Sequence, residues 1–485
     1  MSSVPLFAPK AWPQIALAGS ASVLLILVLI GTRDPAAILA VAVLPIVLWI
    51  AITRPVQLSL LFIAFSYFRL HEAYPMLLPL KLPLALAILS LTALAWHMVL
   101  AHTAKPFWSR ELKLFAVFFA LASLGLVFAI DRPLAIEFWT STFWKIGIMT
   151  LGIAWLVRTP TDFTRTSSTM LIAGSLVAVV AIYNSMHGIG LVEGTRVTIA
   201  RDLQSPLGDP NDLSLVLLFP LGFAAAQLVC RQGALSTTLA LIALPLLLAA
   251  IILTQSRGGL IGVVATYAVI GFHVLKSRRL LMIAGAALVV ALVHAMSLAD
   301  RVSGGAAELQ RSGIDESSRG RLDAWRAALN MAAKRPLTGV GLQNFTENYF
   351  FFTDNWKGRN IAVHSTWFGV LAETGVPGLL AFVAMVVAAF RSSLRSLRAL
   401  AQVGASAPAR SLALALVAGL AGFCAAGTFL TQGFTWPIYI LIALAAALGR
   451  YRDEHALDPS AQEQGNRVLA WAPITRRLER QGREP

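Results

Sequence analysis

Six side chains have the types and settings needed to grip an anion and move a proton: Arg196, Arg201, Arg257, Arg319, Arg321 and His364. In SSRGRLDAW, 317–325, the spacing predicts a helix that starts at an N-cap, Ser317 or Ser318. Leu322, Trp325, Leu329 and Ala332 recur at helical intervals before Pro336 ends the run. Arg319 and Arg321 then fall in the first turn, where free N–H groups and the macrodipole already present positive charge. Two arginines there are unfavourable unless an anion binds, and a phosphate or diphosphate suits both the helix terminus and a bidentate guanidinium. The bland alternative is a solvated amphipathic helix on the membrane surface, with Asp323 as partner. Arg257, in TQSRGGLIG, offers a second cation beside Gly258 and Gly259, which permit close backbone approach; a snorkelling arginine at a helix end is the plainer reading. Arg196 and Arg201 lie in the 187–210 connector and are further candidates for the same phosphate.

His364 has the near-neutral pKa that general-base work requires, against the alternative of a satisfied interfacial histidine. Glu373 lies nine residues further on, about 13 Å along a helix, too far to orient the imidazole. It is expected to pair inside the bundle with Lys145 or Lys81. Asp209 and Asp212 could suggest a metal, but Asp209 followed by Pro210 reads as a helix N-cap with proline at the first position. No metal and no cofactor is expected.

These residues must be positioned by membrane helices. The chain is 57% hydrophobic and 13% charged, with mean hydropathy +0.72, outside the range of soluble domains. About fourteen apolar runs are long enough to approach or cross a bilayer, from 12–31 and 34–52 to 364–390, 409–429 and 432–449; the run at 56–70, crowded by Arg69, His71 and Glu72, is the shortest. The first run is read as a retained span. The net charge of +15 does not indicate nucleic acid, because the basic residues concentrate in alternate connectors and the tail. That alternation puts both termini in the cytoplasm and the long 298–363 segment outside. Two cysteines, Cys230 and Cys424, sit at or within apolar runs and support neither a disulfide framework nor a thiolate site. The expected architecture is an all-α polytopic transmembrane bundle of 12–14 spans. It divides into spans 1–11 over 1–297, a partly helical periplasmic loop over 298–363, spans 12–14 over 364–449, and a basic cytoplasmic tail over 450–485.

The run RGRLDAWRAALNMAAKRPLTGVGLQNF (319–345), followed by His364-Ser365, Gly375 and Gly378, resembles the signature of the O-antigen ligase and Wzy polymerase superfamily. SRGG at 256–259 and GDPNDL at 208–213 also resemble that family, so matching pieces extend over about 195–380. FRLHEAYP at 68–75 is similar to ligases of this superfamily linked to exopolysaccharide or protein glycosylation. The resemblance implies a metal-independent glycosyltransferase of the GT-C type in the bacterial inner membrane, with its active site on the periplasmic face. Its donor would be an undecaprenyl diphosphate-linked glycan, its acceptor lipid A-core or another glycan or protein. His364 would be the general base, and Arg319, Arg321, Arg257, Arg196 and Arg201 the diphosphate clamp.

Fourteen spans exceed the twelve usual for lipopolysaccharide ligases, which leaves the acceptor open. Asp315, Glu316 and Glu347 are the external carboxylates left over, without a glycosidase-like pair among them. From another class, a transporter or flippase of lipid-linked saccharides would place charged or broken helices near mid-membrane. Here the polar residues gather mostly outside, which favours surface chemistry. A non-catalytic assembly subunit would leave the external arginines without a purpose.

Overall fold

The computed structural model describes residues 52–203, 205–275, 277–302 and 307–456, with Gly19, Val23 and 49–50 besides. The expected runs at 12–31 and 34–52, and the tail from 457, lie outside the described residues, as do the side chains of Asp315 and Glu316. Among the described residues the chain is helical, with one isolated β-bridge between Val192 and Arg196. Eight helices there are long and apolar enough to cross a membrane.

The first helices are α1 (Pro55–Ser66), α2 (Leu70–Ala73) and α3 (Leu82–Ala95, continued by a π turn over Trp96–Leu100). At twelve residues, about 18 Å, α1 is shorter than the hydrocarbon core. Irregular chain through a 3-10 turn, Pro75–Leu80, completes the excursion before α3 returns. His97 Nε2 lies 2.8 Å from the Ile52 carbonyl, which brings both ends of this hairpin to one end of the bundle. Backbone broken at membrane depth needs partners within the protein. Tyr67 ties the excursion to the helix Pro210–Cys230 by donating its hydroxyl to the Val216 carbonyl at 2.9 Å, which Pro220, lacking an N–H, leaves free.

Next come α4 (Arg110–Phe128), then α5 (Arg132–Phe138) and α6 (Trp144–Leu156), joined by a π turn, and α7 (Pro160–His187). They are followed by α8 (Pro210–Cys230), α9 (Ala234–Leu253), α10 (Arg257–Val274) and α11 (Arg278–Val302). The chain ends in α12 (Ala307–Lys334), α13 (Asn344–Phe352), α14 (Thr366–Gln402), α15 (Ala407–Gly427) and α16 (Trp436–Ala456). The centre of the bundle is α8, α15 and most of α16, buried on all sides. Lipid tails are as apolar as leucine, so these helices hold together by close packing, and α15 is rich in alanine and glycine accordingly. Outer helices present Leu84, Ile88, Leu241 and Ile242 to the surroundings.

Helix α12 departs from expectation. It begins at Ala307, so Ser317 and Ser318 lie within the helix and do not cap it, and Arg319 and Arg321 are far from its first turn. The predicted apolar stripe is also displaced: Leu322 and Leu329 are half exposed, while Ala324, Ala327, Ala328 and Met331 are buried. Small residues let the helix lie close over the bundle, and Trp325 stacks on Phe368 of α14 with ring centroids 5.1 Å apart.

The other departure concerns Glu373. Helix α14 is broken at Gly375, whose φ of 69° and ψ of −172° an L side chain rarely adopts. Into this break comes the turn after α12. Val376 N–H donates to the Pro336 carbonyl at 2.8 Å, and Val340 N–H to the Ala372 carbonyl at 2.8 Å. Gly339, at φ +66°, passes so near that a Cβ there would lie 2.4 Å from the Glu373 carbonyl carbon. The Glu373 carboxylate pairs with neither Lys145 nor Lys81. It accepts the backbone N–H of Gln343 at 2.9 Å and of Phe345 at 3.4 Å, capping the turn that leads into α13. Local sequence could not reveal this partner, since it comes from thirty residues upstream.

Removing that cap leaves two N–H groups without an acceptor, each costing about 1–3 kcal/mol when buried. Glu373→Leu is expected to lower the melting temperature of the detergent-purified protein markedly, and Glu373→Gln, which keeps an amide oxygen, much less. Equal melting of the two variants would exclude the capping role.

Candidate functional site

A cavity of about 670 Å³ lies between the 192–209 connector with the start of α8, the middle of α12, and the 359–364 segment before α14. It brings together four of the six residues singled out in the sequence: Arg196, Arg201, Arg321 and His364. Arg359 joins them from the segment before α14.

Each wall is fixed by backbone logic. Asp209 caps α8, its Oδ1 accepting the N–H of Asn211 at 2.7 Å and of Asp212 at 3.2 Å, with Pro210 at the first helical position. Asp212 turns elsewhere and accepts from Gln432 Nε2 at 2.6 Å. The two aspartates therefore do separate structural jobs, and among the described residues no group of three or more potential metal-ligating side chains is found. Ser256 caps α10 by accepting the Gly259 N–H at 3.1 Å, and its hydroxyl donates to Asn211 Oδ1 at 2.9 Å. Asn211 thus ties two helix starts together. Gly259 lies directly against Ser214 of α8, where a Cβ would come within 2.6 Å of the serine Cβ.

Arg196 is held at the bridge with Val192. Its Nη2 donates to Asn211 Oδ1 at 2.9 Å and its Nε to the Thr254 carbonyl at 3.3 Å. Glu193, 3.8 Å from Nη1 and largely solvated, neutralises it only weakly. Arg201 opens a short 3-10 turn whose backbone packs against Gly208. The same wall is braced from the other side: Ser205 donates to Glu72 at 2.5 Å, and Glu72 pairs with Arg69.

Arg321 reaches the cavity from the middle of α12. Burial depresses its pKa first, and the neighbouring positive charges of Arg196 and then Arg257 add to this, with Asp209 opposing. Arg257 does not line the cavity; exposed at the start of α10, it acts through its field. His364 sits just before α14 at a left-handed φ of 47°. Its pKa is pushed below the ordinary imidazole value by burial first and by Arg321 next; Asp209 opposes this and Arg196 adds to it. The shift favours the neutral imidazole, its charging resisted by burial and by the arginines that would attract an anion.

Arg319 is not part of this group. Two residues before Arg321, it lies on the other face of α12, beside a second cavity with Asp323, Arg326 and Lys357. Arg359, Asn211 and Ser205 were not singled out in the sequence. Arg359 had a legible signal, an arginine five residues before His364; Asn211 has the look of an ordinary first-turn residue, and only packing shows that it joins two helices.

Comparison with known proteins gives a family match over part of the chain. Residues 242–383 match the family model described as O-antigen ligase, a span that runs from α9 through the broken part of α14 and contains Arg257, Arg321, Arg359 and His364. Arg196 and Arg201 fall before it. The match supports the O-antigen ligase and Wzy superfamily. No curated protein matches the chain.

A cationic cavity of this kind should bind pyrophosphate. Arg321→Ala is expected to weaken that binding by about tenfold or more, equivalent to about 1.4 kcal/mol, and Arg321→Lys by less, since charge is kept and the bidentate fork lost. Calorimetry on the purified protein decides this, and an unchanged Kd in Arg321→Ala would remove Arg321 from the anion site.

Proposed function

We propose that this multi-pass membrane protein, which carries an O-antigen ligase domain, transfers a glycan from undecaprenyl diphosphate to a hydroxyl of lipid A-core at the periplasmic face of the bacterial inner membrane. The observation that carries the reading is the pairing of a neutral, half-buried imidazole with arginines lacking a buried carboxylate partner, in one cavity at one end of the bundle.

The chemistry follows from the charges. As the bond between the anomeric carbon and the diphosphate oxygen breaks, negative charge grows on the leaving group. Arg321, Arg196 and Arg201 face that charge directly, and Arg257 adds its field, so the departing diphosphate is stabilised by fixed cations. On the opposite face of the sugar the acceptor hydroxyl attacks, and His364 Nδ1 or Nε2 takes its proton, giving inversion at the anomeric centre. The imidazolium so formed is disfavoured by the arginines in the empty cavity and favoured once the diphosphate is present. Proton acceptance is thereby coupled to donor occupancy.

A Wzy-type polymerase would use the same cavity with a second lipid-linked glycan as acceptor, and a protein O-glycosylating ligase would use a serine or threonine. Purified protein, undecaprenyl diphosphate glycan and rough lipopolysaccharide, incubated with EDTA, separate these readings. Transfer to the lipopolysaccharide that survives the chelator and is lost by at least about 100-fold in His364→Ala and in Arg321→Ala is the expected result. Lengthening of the lipid-linked donor would instead identify a polymerase, and full activity of His364→Ala would overturn the assignment of the base.

The pH profile gives an independent check. With the imidazole pKa lowered in the free protein, kcat/KM should rise with pH through an apparent pKa below 6.5 and be flat above it. The limb seen in kcat should lie at higher pH, because the bound diphosphate favours imidazolium. Coincident limbs, or no acid limb at all, would contradict the coupling.

A further inference from the structure

Cations line both faces of α12, and the reaction described above uses only one of them. Successive helical residues turn by about 100°, so 319, 323 and 326 share a face while Arg321 points about 200° away from Arg319. Arg321 closes the cavity that holds His364. The opposite face, with Arg319, Asp323 and Arg326, forms a second cavity of about 500 Å³ against Asn355, Trp356 and Lys357.

Its charge is uncompensated. Asp323 is the one carboxylate in the lining, and it accepts from Asn355 Nδ2 at 3.3 Å. Among the described residues, none of the ion pairs involves Arg319, Arg326 or Lys357. Three cations therefore face one acid, which leaves the lining with an excess of positive charge. Beside them the Trp356 indole is 49% exposed, and Phe350 holds it edge-on with centroids 4.8 Å apart at 77°. An aromatic face carries negative potential and attracts the positive C–H face of a sugar ring, while the flanking cations attract an acidic substituent. A phosphatidylglycerol headgroup would use the cations but has no ring to lay on the indole.

The two cavities are joined by one stretch of chain. Asn355, Trp356 and Lys357 line the outer one, Arg359 and Ile361 the inner one, and His364 follows. A saccharide lying along this stretch touches both.

We infer that the second cavity binds an anionic saccharide, a sugar bearing a phosphate or carboxylate group, as the part of the acceptor that remains outside while its hydroxyl reaches His364. The role as acceptor rests on the transferase reading; the binding itself does not.

The test is a titration of the full chain in zwitterionic lipid nanodiscs, in an Arg321→Ala background that weakens the inner cavity. The probes are glucose 6-phosphate, glucose and inorganic phosphate. Glucose 6-phosphate should bind at least tenfold more tightly than either of the others. Arg326→Ser/Lys357→Ser should weaken it tenfold or more, and Trp356→Ala should erase its advantage over inorganic phosphate. Both designs alter exposed side chains, and melting temperature verifies folding. Undiminished binding by the double variant would overturn the site. Equal binding of inorganic phosphate, or displacement of the sugar phosphate by anionic lipid added to the nanodiscs, would overturn the saccharide as ligand. Should these bindings hold while no glycan transfer can be reconstituted, the transferase reading fails and the site stands.

Discussion

The break in α14 at Gly375 is the constraint on which the cavity end of the molecule depends. A continuous helix would satisfy its own backbone and leave nothing for another segment to bond to. Interrupted there, it exposes the Ala372 and Glu373 carbonyls and the Val376 N–H, and the turn 336–341 takes all three. That turn is also fastened to the start of α5: Ile130 N–H donates to the Val340 carbonyl at 2.9 Å, and Asn344 Oδ1 accepts the Asp131 N–H at 2.7 Å. One polar seam thus fixes the end of α12, the start of α13 and the approach to α14. Arg321 and His364 are positioned from its two sides.

Electrostatics explains why the cavity is poised and not satisfied. A protein that needed these arginines for stability alone would pair them with acids, because an uncompensated charge in a partly desolvated site is costly. Here Asp209 is committed to helix capping, and Glu193 stands in solvent. Burial first, and then repulsion among these cations, lowers the pKa of both Arg321 and His364. The repulsive part is relieved by an anion, so affinity for a diphosphate and the resistance of the base to charging share one of their causes.

At the far end of the bundle the same helix serves a different purpose. Beyond the break at Gly375, α14 continues to Gln402, about 40 Å of helix and longer than a hydrocarbon core of about 30 Å. Its exposed Arg391, Arg395 and Arg398 fall on the surplus, where positive charge costs little and helps fix orientation. Placed on one element, the neutral imidazole segment and this basic extension are held at opposite ends.

Much of this was legible in the sequence. Hydrophobic runs set the all-α bundle, because a bilayer demands internally satisfied backbone and helices supply it. Asp209-Pro210 announced its cap, and Arg196, Arg201, Arg321 and His364 were legible as candidates for one anion site, since charge is expensive elsewhere in such a chain; the first-turn position expected for Arg321 was not realised, because α12 begins well before it. Tertiary structure decided what depends on the far partner. Helical spacing alone sets Arg319 and Arg321 apart; packing of the buried alanine stripe of α12 decided that Arg321 is the one facing His364. Tertiary structure also gave Glu373 to a distant backbone turn, and it made Asn211 the link between α8 and α10. Residue type and spacing determine which groups a membrane will tolerate and where along a helix they fall; which of them face one another is set by packing between segments far apart in the chain, and no local pattern encodes it.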